Sequence, residues 1–243
     1  MQAIILLGGQ GTRLRGLFPE LPKALAPVAG RPFLEWQLAW LARHGVGAVH
    51  LAAGYRAQAI QDWLAANPPC VSVTISVEPS PLGTGGGLKY IARFIGTDPF
   101  LILNGDSLLP NLDLRALVKT GRPAGSLATL AVVKAESAER YGSVEFDGEN
   151  RITAFREKAA ISGGGVCGAQ RAINGGVYLV RQELLTRIKP DLCTSLETEV
   201  FPALCAERLL SVFLAPPPLL DMGTPQGFQA MERYHYHPIR SGF

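Results

Sequence analysis

The sequence predicts an α/β fold, with one Rossmann-like domain built on a mixed, mainly parallel central sheet. Over the first hundred residues, short and almost wholly apolar runs alternate with segments of helical periodicity. This alternation is typical of parallel strands covered by helices on both faces. Beyond residue 126 the pattern changes to neighbouring strands joined by a turn signal, which predicts an antiparallel part. With 243 residues, 47% of them hydrophobic, the chain can bury a full core in a single domain.

Strands and helices alternate in the predicted first half. The strands are short, mainly apolar runs, except that the third strand alternates apolar and polar residues. The first helix follows from apolar side chains at helical spacing, among them Phe33, Leu34, Leu38 and Leu41. The predicted strands are 3–7, 46–54, 71–77 and 99–106, and the predicted helices are 33–44, 57–65 and 84–94.

The second half is predicted to be richer in strands, with two helices near its end. One strand pair is expected to turn at Asp147-Gly148. Thr224 would cap the last helix, and Pro225 would occupy its first position. The predicted strands are 126–134, 142–155 and 173–180, and the predicted helices are 197–207 and 225–234.

The composition argues against several classes of protein. Lysine and arginine (23) nearly balance aspartate and glutamate (20), so a broad nucleic-acid-binding face is not expected. No leader pattern and no apolar stretch of about 20 residues is present, which predicts a cytoplasmic protein that does not enter a membrane. Four cysteines without metal-ligand spacing predict reduced thiols and no structural zinc.

A glycine-rich loop, residues 6–16 (LLGGQGTRLRG), directly follows the first predicted strand. Gly8, Gly9 and Gly11 allow the backbone to turn tightly and to aim successive N–H groups at one point, where an anion can bind. Arg13 adds positive charge to the same loop. Because ligands of open α/β sheets bind beyond the carboxyl ends of the strands, this loop is a candidate phosphate site.

Two familiar phosphate-binding motifs do not match the loop. The dinucleotide fingerprint has a third glycine where this chain has Leu14, and the Gly-Lys-Ser/Thr end of the P-loop is absent. A plain tight turn between strand and helix is therefore the alternative interpretation. Lys23 follows soon after, in the proline-restricted segment 19–32, and is well placed to reach a phosphate that the loop holds. For Lys23 the alternative is a solvated surface lysine.

The loop and the segment after it resemble a known family. GGQGTRLR (8–15) followed by PKALAPVAGRP (22–32) is similar to the signature of the sugar-1-phosphate nucleotidylyltransferases, and the resemblance extends to about residue 231. GTRLRG, LAPV and SLETEVFP (195–202) resemble the branch that acts on D-glycero-α-D-manno-heptose 1-phosphate. The chain departs from the commonest form of the signature with Gly16 in place of a proline and Arg31 in place of a lysine.

The resemblance implies a glycosyltransferase-A-like nucleotidyltransferase domain that converts GTP and a sugar 1-phosphate to a GDP-sugar and pyrophosphate, with Mg²⁺ as cofactor. The GDP-heptose would serve surface polysaccharide synthesis. Residues 1–243 would form one domain, with a nucleotide-binding half (1–110), a sugar-phosphate-binding half (111–234) and a tail (235–243). No nucleic-acid or membrane partner is expected, and the resemblance implies a homodimer.

The resemblance also assigns site residues, each at a position that matches the family pattern. The catalytic residues would be Arg13, Lys23 and Asp106, and the Mg²⁺ ligands would be Asp106 and Asp221. The nucleotide would be bound by Leu7, Gly8, Gly9, Gly11, Thr12, Arg13, Glu78, Gly83, Thr84, Asn104 and Gly105. The sugar phosphate would be bound by Glu157, Lys158, Asn174 and Gly175.

Glu78 carries the expectation about the base. It occupies the position where thymidylyl members of the family carry a glutamine, in the second glycine-rich segment, 77–90. Guanine presents two parallel donors, N1–H and N2–H₂, which one carboxylate can accept together. A solvated strand end is the alternative for this residue.

Two other functions stay open at this point. A uridylyl- or mannose-type transferase of the same fold would keep every catalytic residue and differ around Glu78 and the sugar pocket. A catalytically inactive regulatory subunit is disfavoured, because such a protein has no chemical need for Lys23, Asp106 and Asp221 together.

Overall fold

The computed structural model describes residues 1–11, 16–121, 123–134, 143–156 and 170–236. The first half contains β1 (Gln2–Leu7), β2 (Pro27–Val28), β3 (Arg31–Pro32), α1 (Phe33–Arg43), β4 (Ala48–Ala53), α2 (Ala57–Ala66), β5 (Ser72–Val77), α3 (Gly83–Tyr90) and β6 (Phe100–Asn104). The second half contains β7 (Ser107–Leu108), α4 (Leu114–Thr120), β8 (Ala128–Lys134), β9 (Ser143–Phe146), β10 (Ile152–Arg156), β11 (Gln170–Val180), α5 (Phe201–Ala206), β12 (Leu210–Leu214), β13 (Leu220–Asp221) and α6 (Pro225–Tyr236).

The central sheet follows the order β10-β9-β11-β6-β1-β4-β5, and β8 and β12 extend it beside β11. β6, β1, β4 and β5 are parallel to one another. β11 runs antiparallel to β6 and joins this parallel part to the strands of the second half. The α/β fold with a mixed, mainly parallel sheet is thereby confirmed.

Apolar side chains cover both faces of the sheet. Along β1, Ile5 lies in one buried cluster with Trp40 of α1, whereas Ile4 lies in a second cluster with Tyr178 and Phe201. Successive residues of a strand point to opposite faces, so a strand buried on both sides must be apolar throughout. This explains why β1 and β6 have almost no polar residues before their carboxyl ends.

The hairpin between β9 and β10 differs from the prediction. The expected two-residue turn at Asp147-Gly148 is wrong, because residues 147–151 all lie between the strands. The Oδ1 atom of Asp147 accepts hydrogen bonds from the backbone N–H groups of Glu149 and Arg151. Asn150 takes the left-handed conformation, with φ of 60°. The reversal therefore depends on an aspartate side chain and Asn150 rather than on Gly148.

Other element boundaries also shifted. The predicted helix over 197–207 is divided into a π-helical turn, Leu196–Val200, and α5. Pro202 lies at this division and has no N–H to donate to an earlier carbonyl. The short strand pairs β2–β3 and β7–β13, the helix α4 and the strand β12 were not predicted.

The last helix begins as expected. α6 starts at Pro225, and the Thr224 hydroxyl accepts a hydrogen bond of 3.1 Å from the N–H of Gly227. Among the helices of the described residues, none is both long enough and apolar enough to cross a bilayer.

Candidate active site

A cleft of about 390 Å³ opens at the carboxyl ends of the parallel strands. This is the place where α/β sheets bind ligands. Residues from both glycine-rich segments and from the turn after β6 line it together. The predicted residues in the lining are Leu7, Gly8, Gly9, Gly11, Lys23, Glu78, Gly83, Thr84, Asn104, Gly105 and Asp106. Thr12, Arg13, Glu157 and Lys158 lie outside the described residues.

The glycine-rich loop after β1 leaves the backbone accessible from the cleft. A Cβ atom added to Gly9 would meet no atom of the described residues within 4 Å, so packing against those residues does not require a glycine there. Gly11 has φ of +59°, a conformation that favours glycine, and a Cβ on it would lie 3.1 Å from Cβ of Lys23. The loop therefore offers backbone groups to a ligand at Gly9 and holds Lys23 closely at Gly11.

Lys23 and Asp106 form an ion pair in the cleft. Nζ of Lys23 lies 2.6 Å from Oδ2 of Asp106, and the two side chains are 15% and 40% exposed. Lys23 begins a short helical turn directly after Pro22, whose φ is −65°. The two residues predicted to serve phosphate and metal therefore lie side by side, and each neutralises the other's charge.

Gln37 of α1 holds the turn that carries Asp106 through hydrogen bonds to its backbone. Nε2 of this fully buried side chain donates to the carbonyls of Asn104 at 2.9 Å and Ser107 at 3.1 Å. The N–H of Gly105 donates to the Leu6 carbonyl at 3.1 Å, and a Cβ on Gly105 would come within 2.6 Å of that oxygen. The backbone on both sides of Asp106 is thus held by α1 and β1.

Asp221 is brought to the same turn by the β7–β13 pair. Asp221 lies opposite Ser107 in this antiparallel pair, and the N–H of Met222 donates to the Asp106 carbonyl at 2.9 Å. Oδ1 of Asp221 accepts the N–H of Gly223, a residue of the cleft lining, at 2.7 Å. Two aspartates that are far apart in the chain are therefore joined through the backbone of one turn, although the Asp221 side chain is not part of the described cleft lining.

These two carboxylates suit Mg²⁺ by their chemistry. Mg²⁺ prefers oxygen ligands and is commonly held by one or two carboxylates, with water and substrate phosphates completing its shell. Among the described residues, no group of three or more His, Cys, Asp and Glu side chains is arranged to hold a metal. Two carboxylates would leave the rest of the shell of such an ion to water and to substrate phosphates.

Glu78 also lines the cleft and directly follows β5. A Cβ on Gly8 or on Gly54 would lie 2.5 Å from its Oε1 atom, and a Cβ on Gly87 would lie 3.4 Å from Oε2. The N–H of Leu82 donates to Oε2 at 3.3 Å. Burial raises the pKa of Glu78, and the hydrogen bond from Leu82 opposes that shift. The carboxylate is thus held in a slot that only glycines leave open.

The first turn of α3 is anchored to the segment that precedes the π-helical turn. Gly83 has φ of +71°, and a Cβ there would lie 2.5 Å from the Thr194 carbonyl. That carbonyl accepts the N–H groups of Gly85 at 2.8 Å and Gly86 at 3.1 Å. The N–H groups of Gly85 and Gly86 are therefore bound to protein, and they are not available to a ligand.

Asn174 and Gly175 lie in an irregular part of β11. The pairing of β11 with β8 shifts between Asn174 and Val177. Nδ2 of Asn174 donates to the hydroxyl of Tyr178 at 2.9 Å, and its Oδ1 accepts the N–H of Gly176 at 3.1 Å. A Cβ on Gly175 would come within 2.8 Å of the Ala131 carbonyl. These two predicted residues do not line the cleft, but Tyr178 links them to Asn104, which does.

Sequence reasoning missed several residues that shape this site. Gln37 and Tyr178 are buried polar groups in apolar segments, and a polar residue at a core position was the signal available for them. Gly54 directly follows β4, and its place at the end of a predicted strand gives no sign that it leaves room for another side chain. Glu197 lies in SLETEVFP, a motif noticed without a role for this side chain.

Comparison with known proteins shows similarity over most of the chain. The family described as "Nucleotidyl transferase" matches residues 2–235. D-glycero-alpha-D-manno-heptose 1-phosphate guanylyltransferase from Aneurinibacillus thermoaerophilus is 31% identical over 239 residues, which cover 98% of this chain and 100% of that protein. Mannose-1-phosphate guanyltransferase from Schizosaccharomyces pombe is 36% identical over 236 residues, which cover 94% of this chain and 62% of that protein.

A solved structure shares the fold. The crystal structure of HddC from Yersinia pseudotuberculosis complexed with GMP-PN has a TM-score of 0.80 and 26% sequence identity to this chain. The match covers 96% of this chain and 99% of that one. The two sequence relatives and this solved structure thus each match nearly the whole chain.

Proposed function

Because the chain belongs to the nucleotidyl transferase family, among its sugar-1-phosphate guanylyltransferases, we propose that it transfers the guanylyl group of GTP to D-glycero-α-D-manno-heptose 1-phosphate. The products are GDP-heptose and pyrophosphate. The full-length match to the heptose 1-phosphate relative from Aneurinibacillus thermoaerophilus supports this sugar. Mannose 1-phosphate is the second candidate, supported by the comparable identity of the Schizosaccharomyces pombe relative.

The Lys23–Asp106 ion pair is the observation that carries the proposal. An ammonium group and a carboxylate in contact at 2.6 Å, beside an accessible glycine-rich loop, suit a site in which charge must be redistributed when phosphates bind. Lys23 exchanges Asp106 for a phosphate oxygen in this proposal. Asp106 is then free to take part, with Asp221, in binding Mg²⁺.

The Glu78 slot supports guanine as the base. Glu78 has one described hydrogen bond to its side chain, from the N–H of Leu82, and burial disfavours its charged form. The N1–H and N2–H₂ groups of guanine supply two donors on one edge, which compensate a desolvated carboxylate. Adenine does not present this pair of donors, so the same slot discriminates against ATP.

The reaction asks little covalent chemistry of the protein. An oxygen of the sugar phosphate attacks the α-phosphorus in line, the α–β phosphoanhydride bond breaks, and pyrophosphate leaves from the opposite side. No general base is needed because the attacking phosphate is already an anion. Mg²⁺, held by Asp106 and Asp221, would supply neutralisation of the phosphate charges. Lys23 contributes positioning and electrostatic stabilisation, and we assign the same work to Arg13 and Lys158.

The sugar phosphate would bind toward β11. We propose that Glu157 meets sugar hydroxyls, that Lys158 meets the phosphate, and that Asn174 and Gly175 form part of the wall. The engagement of Asn174 by Tyr178 and Gly176 supports a role in shaping this wall.

Pyrophosphate release tests the proposal. The four ribonucleoside triphosphates are each combined with the 1-phosphates of manno-heptose, mannose, glucose and N-acetylglucosamine, in the presence of Mg²⁺. Strong release with GTP and the heptose 1-phosphate is expected. Release with GTP and mannose 1-phosphate would replace the sugar and keep the reaction. Nucleotide binding without release for any pair would favour an inactive regulatory subunit.

A further inference from the structure

Glu197 accepts hydrogen bonds from two different parts of the site. Its Oε2 atom accepts the hydroxyl of Thr84 at 2.6 Å and that of Ser195 at 3.2 Å. Its Oε1 atom accepts the hydroxyl of Tyr178 at 3.5 Å. Thr84 lies at the start of α3 and Tyr178 lies in β11, so one carboxylate joins the two halves of the molecule.

The direction of these hydrogen bonds is fixed by the neighbouring groups. The hydroxyl of Tyr178 is buried and accepts amide N–H groups from Asn174 at 2.9 Å and Asn104 at 3.5 Å. Both of its lone pairs are then used, so its single proton points to Glu197. Burial, reinforced by the charge of Glu197, holds the pKa of Tyr178 well above its usual value, so the hydroxyl keeps that proton.

Thr84 is fixed in the same way. Its hydroxyl oxygen accepts the backbone N–H of Leu196 at 2.8 Å, and its proton goes to Glu197. The hydroxyl protons of Thr84 and Tyr178 both point to Glu197, so the group between them must accept at two atoms and donate at neither. A carboxylate does this. An amide in its place would turn an NH₂ group toward one of the two hydroxyls.

The two ends of this chain of hydrogen bonds reach the cleft. Thr84 lines the cleft beside Gly83, and Asn104 lines it beside Gly105 and Asp106. Glu197 itself is not part of the described lining, so it acts through its partners. Hydrogen bonds thus connect the two ends through the Glu197 carboxylate.

We propose that Glu197 is a positioning residue that couples binding of the nucleotide to binding of the sugar 1-phosphate. This inference rests on the proposed function, since it takes Thr84 to border the nucleotide and Asn174 to border the sugar. Coupling between two sites is a free energy that each ligand exerts equally on the other. Glu197 sets that free energy without touching either ligand.

The test measures coupling directly in the full chain. The dissociation constant of guanosine 5′-(α,β-methylene)triphosphate with Mg²⁺ is determined with and without saturating heptose 1-phosphate, and again with mannose 1-phosphate. The unaltered protein should show at least about a fivefold difference, the lower end of typical coupling. Glu197→Gln should reduce the difference to less than about twofold. Glu199→Gln is the matched control, because Glu199 lies on the same π-helical turn and accepts the backbone N–H of Ser195 at 2.9 Å.

Further variants separate positioning from folding. Tyr178→Phe removes the hydroxyl in the middle of the same chain of hydrogen bonds and should also abolish coupling. This second variant keeps the test valid if Glu197→Gln does not fold. Glu197→Asp, which keeps the carboxylate, should restore part of the coupling. Without ligands, hydrogen exchange should be faster in Glu197→Gln at residues 83–88 and at residues 172–178, but unchanged there in Glu199→Gln.

The outcomes distinguish this inference from the proposed function. If the analogue does not bind the unaltered protein, the proposed function fails and the coupling fails with it. If the analogue binds and the coupling is absent in the unaltered protein, or is equally large in Glu197→Gln, only the role of Glu197 is overturned.

Discussion

Gly54 leaves the space that the Glu78 carboxylate fills. A Cβ on Gly54 would lie 2.5 Å from Oε1 of Glu78, the same distance as a Cβ on Gly8. These glycines follow β4 and β1, so the carboxylate that follows β5 leans across two neighbouring strand ends. The position of the proposed base-reading group therefore depends on residues that carry no side chain.

Gly54→Ala should displace Glu78 and weaken GTP binding by about tenfold, because one lost hydrogen-bonding pair in a specific site corresponds to about 1.4 kcal/mol. The φ of Gly54 is not in the left-handed region, so the effect would come from the added atom and not from backbone strain. Titration calorimetry with the GTP analogue checks this. Gly47→Ala, directly before the same strand and with no atom of the described residues within 4 Å of its Cβ, should bind as the unaltered protein does.

Glu78→Gln should stabilise the fold at neutral pH while it reduces the preference for GTP. The pKa of Glu78 is raised in the folded protein, so the folded state favours the protonated form. Its contribution to stability is present below the ordinary value of 4.5 and is lost as pH rises through the raised pKa. The neutral amide of glutamine does not ionise, so the variant should not lose stability as pH rises. Thermal unfolding at several pH values measures this difference. Glu183→Gln, at an exposed carboxylate, should not reproduce the pattern.

GTP affinity should fall as pH is lowered through the raised pKa of Glu78. Protonation converts the carboxylate from a double acceptor into a group that also donates, and guanine presents two donors to it. Binding of the GTP analogue between about pH 4.5 and pH 8, with the ordinary glutamate value as the lower limit, measures this dependence. The same profile persisting in Glu78→Gln would assign the titration to another group.

Lys23→Ala should reduce turnover by about 10²- to 10³-fold, the usual result of removing one group that stabilises transition-state charge. The side chain is partly exposed and packs mainly at Gly11 and Asp106, so the fold should survive. Pyrophosphate release and thermal unfolding are measured together. Lys119→Ala, on the exposed surface of α4, is the control. Near-normal turnover would remove Lys23 from the mechanism.

Gln37→Leu should lower the free energy of unfolding by about 2 kcal/mol, because two buried carbonyls lose their donor. It should also raise the Mg²⁺ concentration that gives half-maximal activity, since the backbone around Asp106 loses its support. Chemical denaturation and a Mg²⁺ titration check the two effects. Gln58→Leu removes an exposed glutamine of α2 and should change neither.

Local sequence patterns were sufficient to predict a candidate phosphate loop and a carboxylate near a strand end. Gly8 directly follows the apolar β1, and Asp106 lies two residues after the apolar β6. Glu78 follows a strand of alternating pattern, and its role, like the metal-binding role of Asp106, was implied by the resemblance to a family. Asp221 could be assigned only through the resemblance to a family, because the two-residue strands that pair it with Ser107 are too short to have a periodicity.

Contacts between distant segments account for what the sequence did not reveal. Gln37 lies within an ordinary amphipathic helix, and nothing in the helix indicates that its amide meets the carbonyls of Asn104 and Ser107. Glu197 depends on Thr84 and Tyr178, which belong to two other elements. The loop at residues 147–151 was mispredicted because the Asp147 side chain competes with the glycine as the source of the turn.

The order of the strands separates the backbone of Asp106 from that of Glu78 along the sheet. Asp106, Gly8, Gly54 and Glu78 follow β6, β1, β4 and β5, which are consecutive neighbours. Strands lie about 4.8 Å apart, so Asp106 and Glu78 terminate strands separated by roughly 15 Å. The backbone of Glu78 therefore lies at the edge of the sheet, whereas its carboxylate reaches back to Gly8 at the end of β1, the neighbour of β6. A different side chain at position 78 would thus change what faces Gly8 and Gly54 and leave the backbone around Asp106 as it is.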